Sequence, residues 1–258
     1  MWSQMFFVIN SFPQLRRLVS IVSLLRSGLI SVALVAASVH SQPPVEVPDE
    51  ATIIRGVDAA VKHRVDSVAG FSDTEHYKLF RGKDLTTPAA EMIVRTTYVR
   101  ETGKSYEVLS ETGSQLLRNM VFSPLLENEK RINLPENRDA SYFVSANYEM
   151  HLKPGGPRQI NGRACYALTI HPHQKAPTLV EGTIWVDARD YSIVRIEGHG
   201  SKSASLFVDP TVMTRDYQPV DGFAMATHAK AVTESDLVGP TIVTIDYTDY
   251  KIRLLQPH

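Results

Sequence analysis

The stretch that most constrains the fold is Gly182-Thr-Ile-Trp-Val-Asp-Ala-Arg-Asp-Tyr-Ser-Ile-Val-Arg-Ile-Glu-Gly198. Two runs rich in β-branched and aromatic residues, Thr183–Asp187 and Tyr191–Glu197, flank Ala188-Arg189-Asp190. Such runs on a three-residue connector read as an antiparallel hairpin. Its loop needs a left-handed residue near the end, a conformation that Asp tolerates better than most non-glycine residues. Pairing Asp187 with Tyr191 sets Trp185 opposite Ile193, and Ile184 opposite Val194 on the other face. Aromatic and β-branched cross-strand pairs are what stabilise such a sheet. The stretch is structural and contains no catalytic motif.

The start of the chain reads as a targeting segment. Arg16, Arg17 and Arg26 precede the apolar run Gly28–Val39, with small residues at Ala36, Ala37, Ser38 and Ser41. Positive region, short apolar region and small residues form an export signal over residues 1–41, cleaved after Ala37 or Ser41. The alternative is an uncleaved anchor over Leu18–Val39. Arg26 weighs against it, because a central Arg costs about 3 kcal/mol on insertion scales. The apolar region has no neighbouring cysteine for a bacterial lipoprotein anchor. Residues 42–48 form a proline-containing linker, and 49–258 are expected to be one domain.

Asp49–Ala69 has a helical stripe through Ile53, Val57, Val61, Val65 and Val68, with Asp49 as cap and Gly70 as stop. From Phe71 the period becomes two. Strands are expected at Phe71–Phe80, Ala90–Glu101, where Met92, Val94, Thr96 and Tyr98 share a face, and Lys104–Glu111. Ser114–Val121 returns to helical spacing, Ser123-Pro124 reads as a fresh helix start running to Arg131, and Asn133–Ala140 reads as a loop. Further strands follow at Ala146–Leu152, Ala164–His171, the central hairpin, Ser203–Val208 and Val212–Tyr217. Phe223–Thr233 and Thr241–Ile252 close the series, joined by a Gly239-Pro240 turn. The helical segments need an apolar partner and do not sit where crossovers of a parallel sheet belong. A mainly β (α+β) architecture follows: one antiparallel sheet curled around helices on its concave face.

Lys+Arg is 27 against Asp+Glu 28. A chain so balanced lacks the basic excess of a nucleic-acid binder. The lone Cys165 excludes an internal disulfide or a thiolate zinc cluster and reads as core filler. His171 and His173 share a strand face, as metal ligands can, but no third ligand stands at a recognisable spacing, so they read as solvated. Asp187, Asp190 and Glu197 are an acid–base set only in composition, because Asp187 and Asp190 belong to the turn. No cofactor or metal is expected. What remains is apolar patterning: Tyr148, Met150, Tyr166, Leu168, Trp185, Phe207, Phe223 and Met225 are the candidate ligand-binding residues. Mixed aromatic, Met and Leu walls suit acyl chains.

The run Gly162-Arg-Ala-Cys-Tyr-Ala-Leu-Thr-Ile-His-Pro-His followed by the central hairpin, with Asn147-Tyr-Glu149 before it and Asp246-Tyr-Thr-Asp-Tyr250 near the end, resembles the LolA-like superfamily. It looks most like the group of outer-membrane lipoprotein-sorting proteins. The resemblance implies an incomplete, highly curved antiparallel barrel with helices over its concave face. It also implies a periplasmic, non-enzymatic protein that holds a lipid or lipoprotein acyl chain and carries it across the periplasm. Two alternatives stay open: an envelope sensor or scaffold that binds another envelope protein through the curved sheet, and a hydrolase with an unrecognised site. Oligomeric state is open. Export is tested by the intact mass of the periplasmic form, which is expected to lack Trp2–Arg26.

Overall fold

The structure, a computed structural model, describes residues 48–82, 86–176, 178–202, 211–234 and 240–256. The expected leader over residues 1–41, the linker up to residue 47, strand Ser203–Val208 and Gly239 lie outside the described residues.

Helix α1, Glu50–Ser67, starts where expected, because Asp49 accepts the Thr52 N–H at 2.6 Å. It ends earlier than its apolar stripe suggests. Val68 is already extended, and strand β1 runs Val68–Arg81 without a connecting loop. Gly70 is not the helix stop but a strand residue, where a Cβ would stand 2.6 Å from the Tyr98 carbonyl oxygen. Strands β2 (Ala90–Val99) and β3 (Gly103–Gly113) continue a meander. Then come α2 (Gln115–Leu117), one π-helical turn (Arg118–Phe122), α3 (Ser123–Ile132) and α4 (Pro135–Arg138). The expected break before Pro124 is therefore a widening. Ser123 is helical and donates to the Arg118 carbonyl five residues back, and the wider turn makes room for a proline that has no N–H. The expected loop at Asn133–Ala140 holds α4 and the start of a 3-10 turn, Asp139–Ser141.

The remaining strands are β4 (Tyr148–Leu152), β5 (Arg158–Ile160), β6 (Arg163–Pro172), β7 (Val180–Asp187), β8 (Ile193–Gly200), β9 (Val212–Val220), β10 (Phe223–Thr233) and β11 (Thr241–Leu254). All join one antiparallel sheet in the order β3-β2-β1-β11-β10-β9-β8-β7-β6-β4, with β5 also paired to β6. The sheet curls around the helices without closing: it is the half-barrel expected. The segment from α2 to β4 therefore carries the chain from one edge strand to the other. Along one register row the helix-covered face presents Met92, Tyr77, Ile245, Ala229, Arg215, Ile196, Ile184, Leu168 and Leu152. Helix α1 covers the β4–β8 end of this face, and the π-turn and α3 cover the β1–β2 end.

The central hairpin forms, but in another register. Val186 pairs with Ile193, Trp185 with Arg195 and Ile184 with Ile196, across an irregularity between Trp185 and Val186. The aspartates act through their side chains rather than by turning left-handed: Asp187 accepts the Arg189 N–H at 2.7 Å and Asp190 the Ser192 N–H at 2.9 Å. The left-handed residue is Tyr191, at φ 56. Its ring packs against Gly56 of α1, where an added Cβ would stand 2.3 Å from the ring's Cδ2 and 2.4 Å from its Cγ. Gly56→Ala is therefore expected to destabilise the domain by about 1–3 kcal/mol in urea melts, as overpacking does. In a Tyr191→Ala background the same change is expected to be neutral or to stabilise by up to about 1 kcal/mol, the helix propensity of Ala over Gly.

Candidate functional site

Three apolar clusters line the helix-covered face. In the first, Tyr148, Met150, Tyr166 and Leu168 come together beneath α1, packed with Ile53 and Val57. The space over these four candidate ligand-binding residues is thus filled by the helix. Phe223 and Met225 belong to a separate cluster with Val68, beside Phe71 and Tyr250. Trp185 joins neither. It alternates with Ile184 and Val186 along β7 and pairs with Ala167 and Arg195, so it lies on the opposite, convex face, half-buried, its indole N–H buried without a partner. Phe207 lies outside the described residues.

The other candidates are tied into the structure. Asp187 takes the Arg163 guanidinium at 2.6 Å. Burial alone would raise its pKa, but the Arg189 N–H and Arg163 hold it below the usual carboxylate range. Glu197 stands 3.5 Å from Arg195. His171 meets Glu181 at 3.1 Å, whereas His173 meets the Ser145 carbonyl at 3.2 Å, so the two rings diverge. Among the described residues no group of three His, Cys, Asp or Glu is placed to hold a metal. Cys165 is buried, and burial followed by the Asp187 charge pushes its thiol up to about 11, away from thiolate chemistry.

The feature missed in the sequence lies between the first two apolar clusters. Asp73 and Glu75 on β1 point to the helix-covered face, in phase with Tyr77 and Leu79. Lys104 of β3 forms ion pairs with Glu75 at 2.8 Å and with Glu129 of α3 at 3.4 Å. Arg215 of β9 closes on Glu129 at 3.3 Å. Tyr77 donates its hydroxyl hydrogen to Glu75, and Tyr247 faces Glu75 across the β1–β11 pair. Burial would lower the Lys104 pKa and raise that of Glu129. The pairing wins in both: Glu129 and Glu75 hold Lys104 above its ordinary value, and Lys104 and Arg215 pull Glu129 down to about 2. Asp73 behaves oppositely. Burial, then the Glu75 charge, pushes it up to about 7 against the pull of Lys104. A charge in the apolar phase of a strand was the signal: Asp73 and Glu75 before Tyr77, and Arg215 between Met213 and Tyr217.

No protein-family model and no curated protein matches the chain. Solved structures do. The chain is similar to a LolA superfamily protein from Nitrosomonas europaea, with TM-score 0.43 and 12% identity over 80% of this chain and 94% of that one. It is similar to an outer-membrane lipoprotein-sorting protein domain from Vibrio parahaemolyticus, with TM-score 0.43 and 13% identity over 76% and 91%. A complex of Pseudomonas aeruginosa MucA and MucB matches at TM-score 0.27 and 12% identity, over 78% of this chain and 94% of that one. No residue's role is taken from them.

The two carboxyl groups give opposite pH limbs. Glu129, with a depressed folded pKa, stabilises the fold above the ordinary carboxylate range, and that contribution is lost as pH falls from about 4.5 toward 2. Asp73, with a raised folded pKa, holds a proton that the unfolded chain has released. Stability therefore falls as pH rises from about 4 to 7, by about 1.4 kcal/mol per unit at most. Asp73→Asn is expected to gain about 2–4 kcal/mol at pH 8 and about nothing at pH 4 in urea melts. Equal effects at both pH values would mean that Asp73 ionises normally.

Proposed function

We propose that this protein is an exported, non-enzymatic binding protein that holds the acyl chain of a lipid or lipoprotein against the concave face of its sheet and carries it across the periplasm. The supporting observation is how lightly α1 covers that face. Against the wall of Tyr148, Met150, Tyr166 and Leu168, the helix sets only two fully buried side chains, Ile53 and Val57. Ile54 and Val61 are only partly buried, Gly56 packs on Tyr191 and His63 stacks on Phe223 at 5.5 Å, and the polar ties are surface hydrogen bonds. Asp58 accepts the Ser145 N–H at 2.8 Å and the Ser145 hydroxyl at 2.6 Å, and Glu50 accepts the Leu152 N–H at 2.7 Å. An open groove of about 250 Å³, lined by Val61, Val65, Tyr142 and Val144 and by the charged Lys62, Asp66 and Asp139, runs along its flank. Two buried aliphatic side chains are worth about 3–6 kcal/mol, and each buried methylene about 0.8 kcal/mol, so roughly four to eight methylenes replace them.

One observation favours a second reading, the binding of another envelope protein. Edge strand β3 exposes Val108 and Leu109, and the helical segment that follows exposes Leu116 and Met120 at 68% and 65%. An unpaired edge with apolar side chains beside it can accept a partner strand.

The two readings separate by pinning α1. With Cys165→Ala, the changes Asp58→Cys and Ser145→Cys allow a short cleavable thiol linker to bridge helix and sheet edge. The unbridged protein is expected to bind a fluorescent fatty acid, the bridged one at least tenfold more weakly, with recovery on cleavage. Unchanged binding in the bridged protein would rule out entry under α1. Failure of the delipidated wild type to take up any such probe would sink the lipid reading and leave the β3 edge.

A further inference from the structure

The buried polar cluster on the helix-covered face has three carboxylates, Asp73, Glu75 and Glu129, and two cations committed to them, Lys104 and Arg215. The unmatched carboxylate is Asp73. Neither cation forms an ion pair with it, and Arg64 of α1, whose Nε is also buried without a partner, acts on Tyr250, as Asp73 does. Tyr250 places its hydroxyl 2.9 Å from the Ala226 carbonyl, and it also reaches the Asp73 carboxyl, whose pKa it lowers slightly. Directly across the β1–β2 pair stands Thr96, on the same face. Asp73 is 3% exposed and Thr96 0%, and both Asp73 Oδ1 and Thr96 Oγ1 are buried without a hydrogen-bond partner. Buried polar atoms are rarely left so, since each unmade bond costs about 1–3 kcal/mol. One register step further along the same face, Phe71 and Tyr98 stack at 5.1 Å, with Tyr250 tilted onto Phe71 at 5.9 Å. A carboxylate oxygen and a hydroxyl oxygen, both buried without a partner and both able to accept, beside a set of aromatic rings together describe a seat for an ammonium group.

We propose that the Asp73–Thr96 pair seats a protonated primary amine carried by the ligand, with the ligand's apolar part on the flanking clusters. The proposal rests on the lipid-binding reading and gives it a head-group chemistry. A bound ammonium sets a positive charge against Asp73 and donates to both orphaned oxygens.

The test is displacement of a fluorescent fatty acid from the exported chain at pH 7.5 by dodecylamine, dodecanol and dodecanoate, each below its aggregation limit. Dodecylamine is expected to bind at least tenfold more tightly than dodecanol. Asp73→Asn is expected to bring the two within twofold while leaving dodecanol unchanged, and Thr96→Val to narrow the gap severalfold. Equal binding of amine and alcohol by the wild type overturns the amine seat and leaves lipid binding intact. A preference that survives in Asp73→Asn assigns the amine to surface adsorption and overturns it equally. If none of the three displaces the probe, or the probe itself does not bind, it is the lipid reading that falls, and the amine seat with it.

Discussion

An antiparallel sheet that curls without closing cannot bury its concave face by itself. Strands β3 and β4 are the edges, and neither pairs with the other. The face between them carries apolar side chains from Met92 to Leu168, and something else must cover it. Here the cover comes from two places in the chain: α1, which runs straight into β1, and the helical segment that bridges β3 to β4. Each covers one end, so the two covers leave a seam. The polar cluster of Glu75, Lys104, Glu129 and Arg215 occupies that seam.

Charges in such a place are not there for stability alone. A buried ion pair seldom outperforms well-packed apolar side chains of the same volume, though removing one partner is costly. Glu129 ties α3 to strands from distant parts of the sheet, through Lys104 on β3 and Arg215 on β9. This fixes how the helix sits over β1 and β2 in a way that apolar contacts, being non-directional, do not.

Elements with one dominant local pattern were legible in the sequence. Asp49 caps α1, the alternation of Met92, Val94 and Thr96 gives the buried face of β2, and Asp221-Gly222 turns β9 into β10 with both residues at positive φ. Misreadings came where a distant contact outweighed a local preference. The hairpin shifted register because Asp187 and Asp190 found N–H partners within the loop and Tyr191 found Gly56. Strand β5 is three residues long and gave no period to read. For the candidate site, Tyr148, Met150, Tyr166 and Leu168 came together because alternation assigns a face, whereas the hairpin could not tell which face Trp185 would take. The polar cluster joins residues far apart in the chain, and its only local trace was charge at apolar-phase positions.

The convex face gives the contrast that singles out Asp73. One register row across it reads His76, Asp246, His228, Asp216, Arg195 and Trp185. Its charged members are satisfied by each other or by neighbours: His76 meets Glu91 at 2.8 Å, His228 meets Asp246 at 2.7 Å, and Arg195 meets Asp216 at 2.6 Å. These groups are half-exposed, so water could have served them, and cross-strand partners are present as well. Asp73 Oδ1 and Thr96 Oγ1 have no such cross-strand partner, although the same sheet, a few residues away, pairs its polar side chains readily. Pairing was therefore within reach of this architecture.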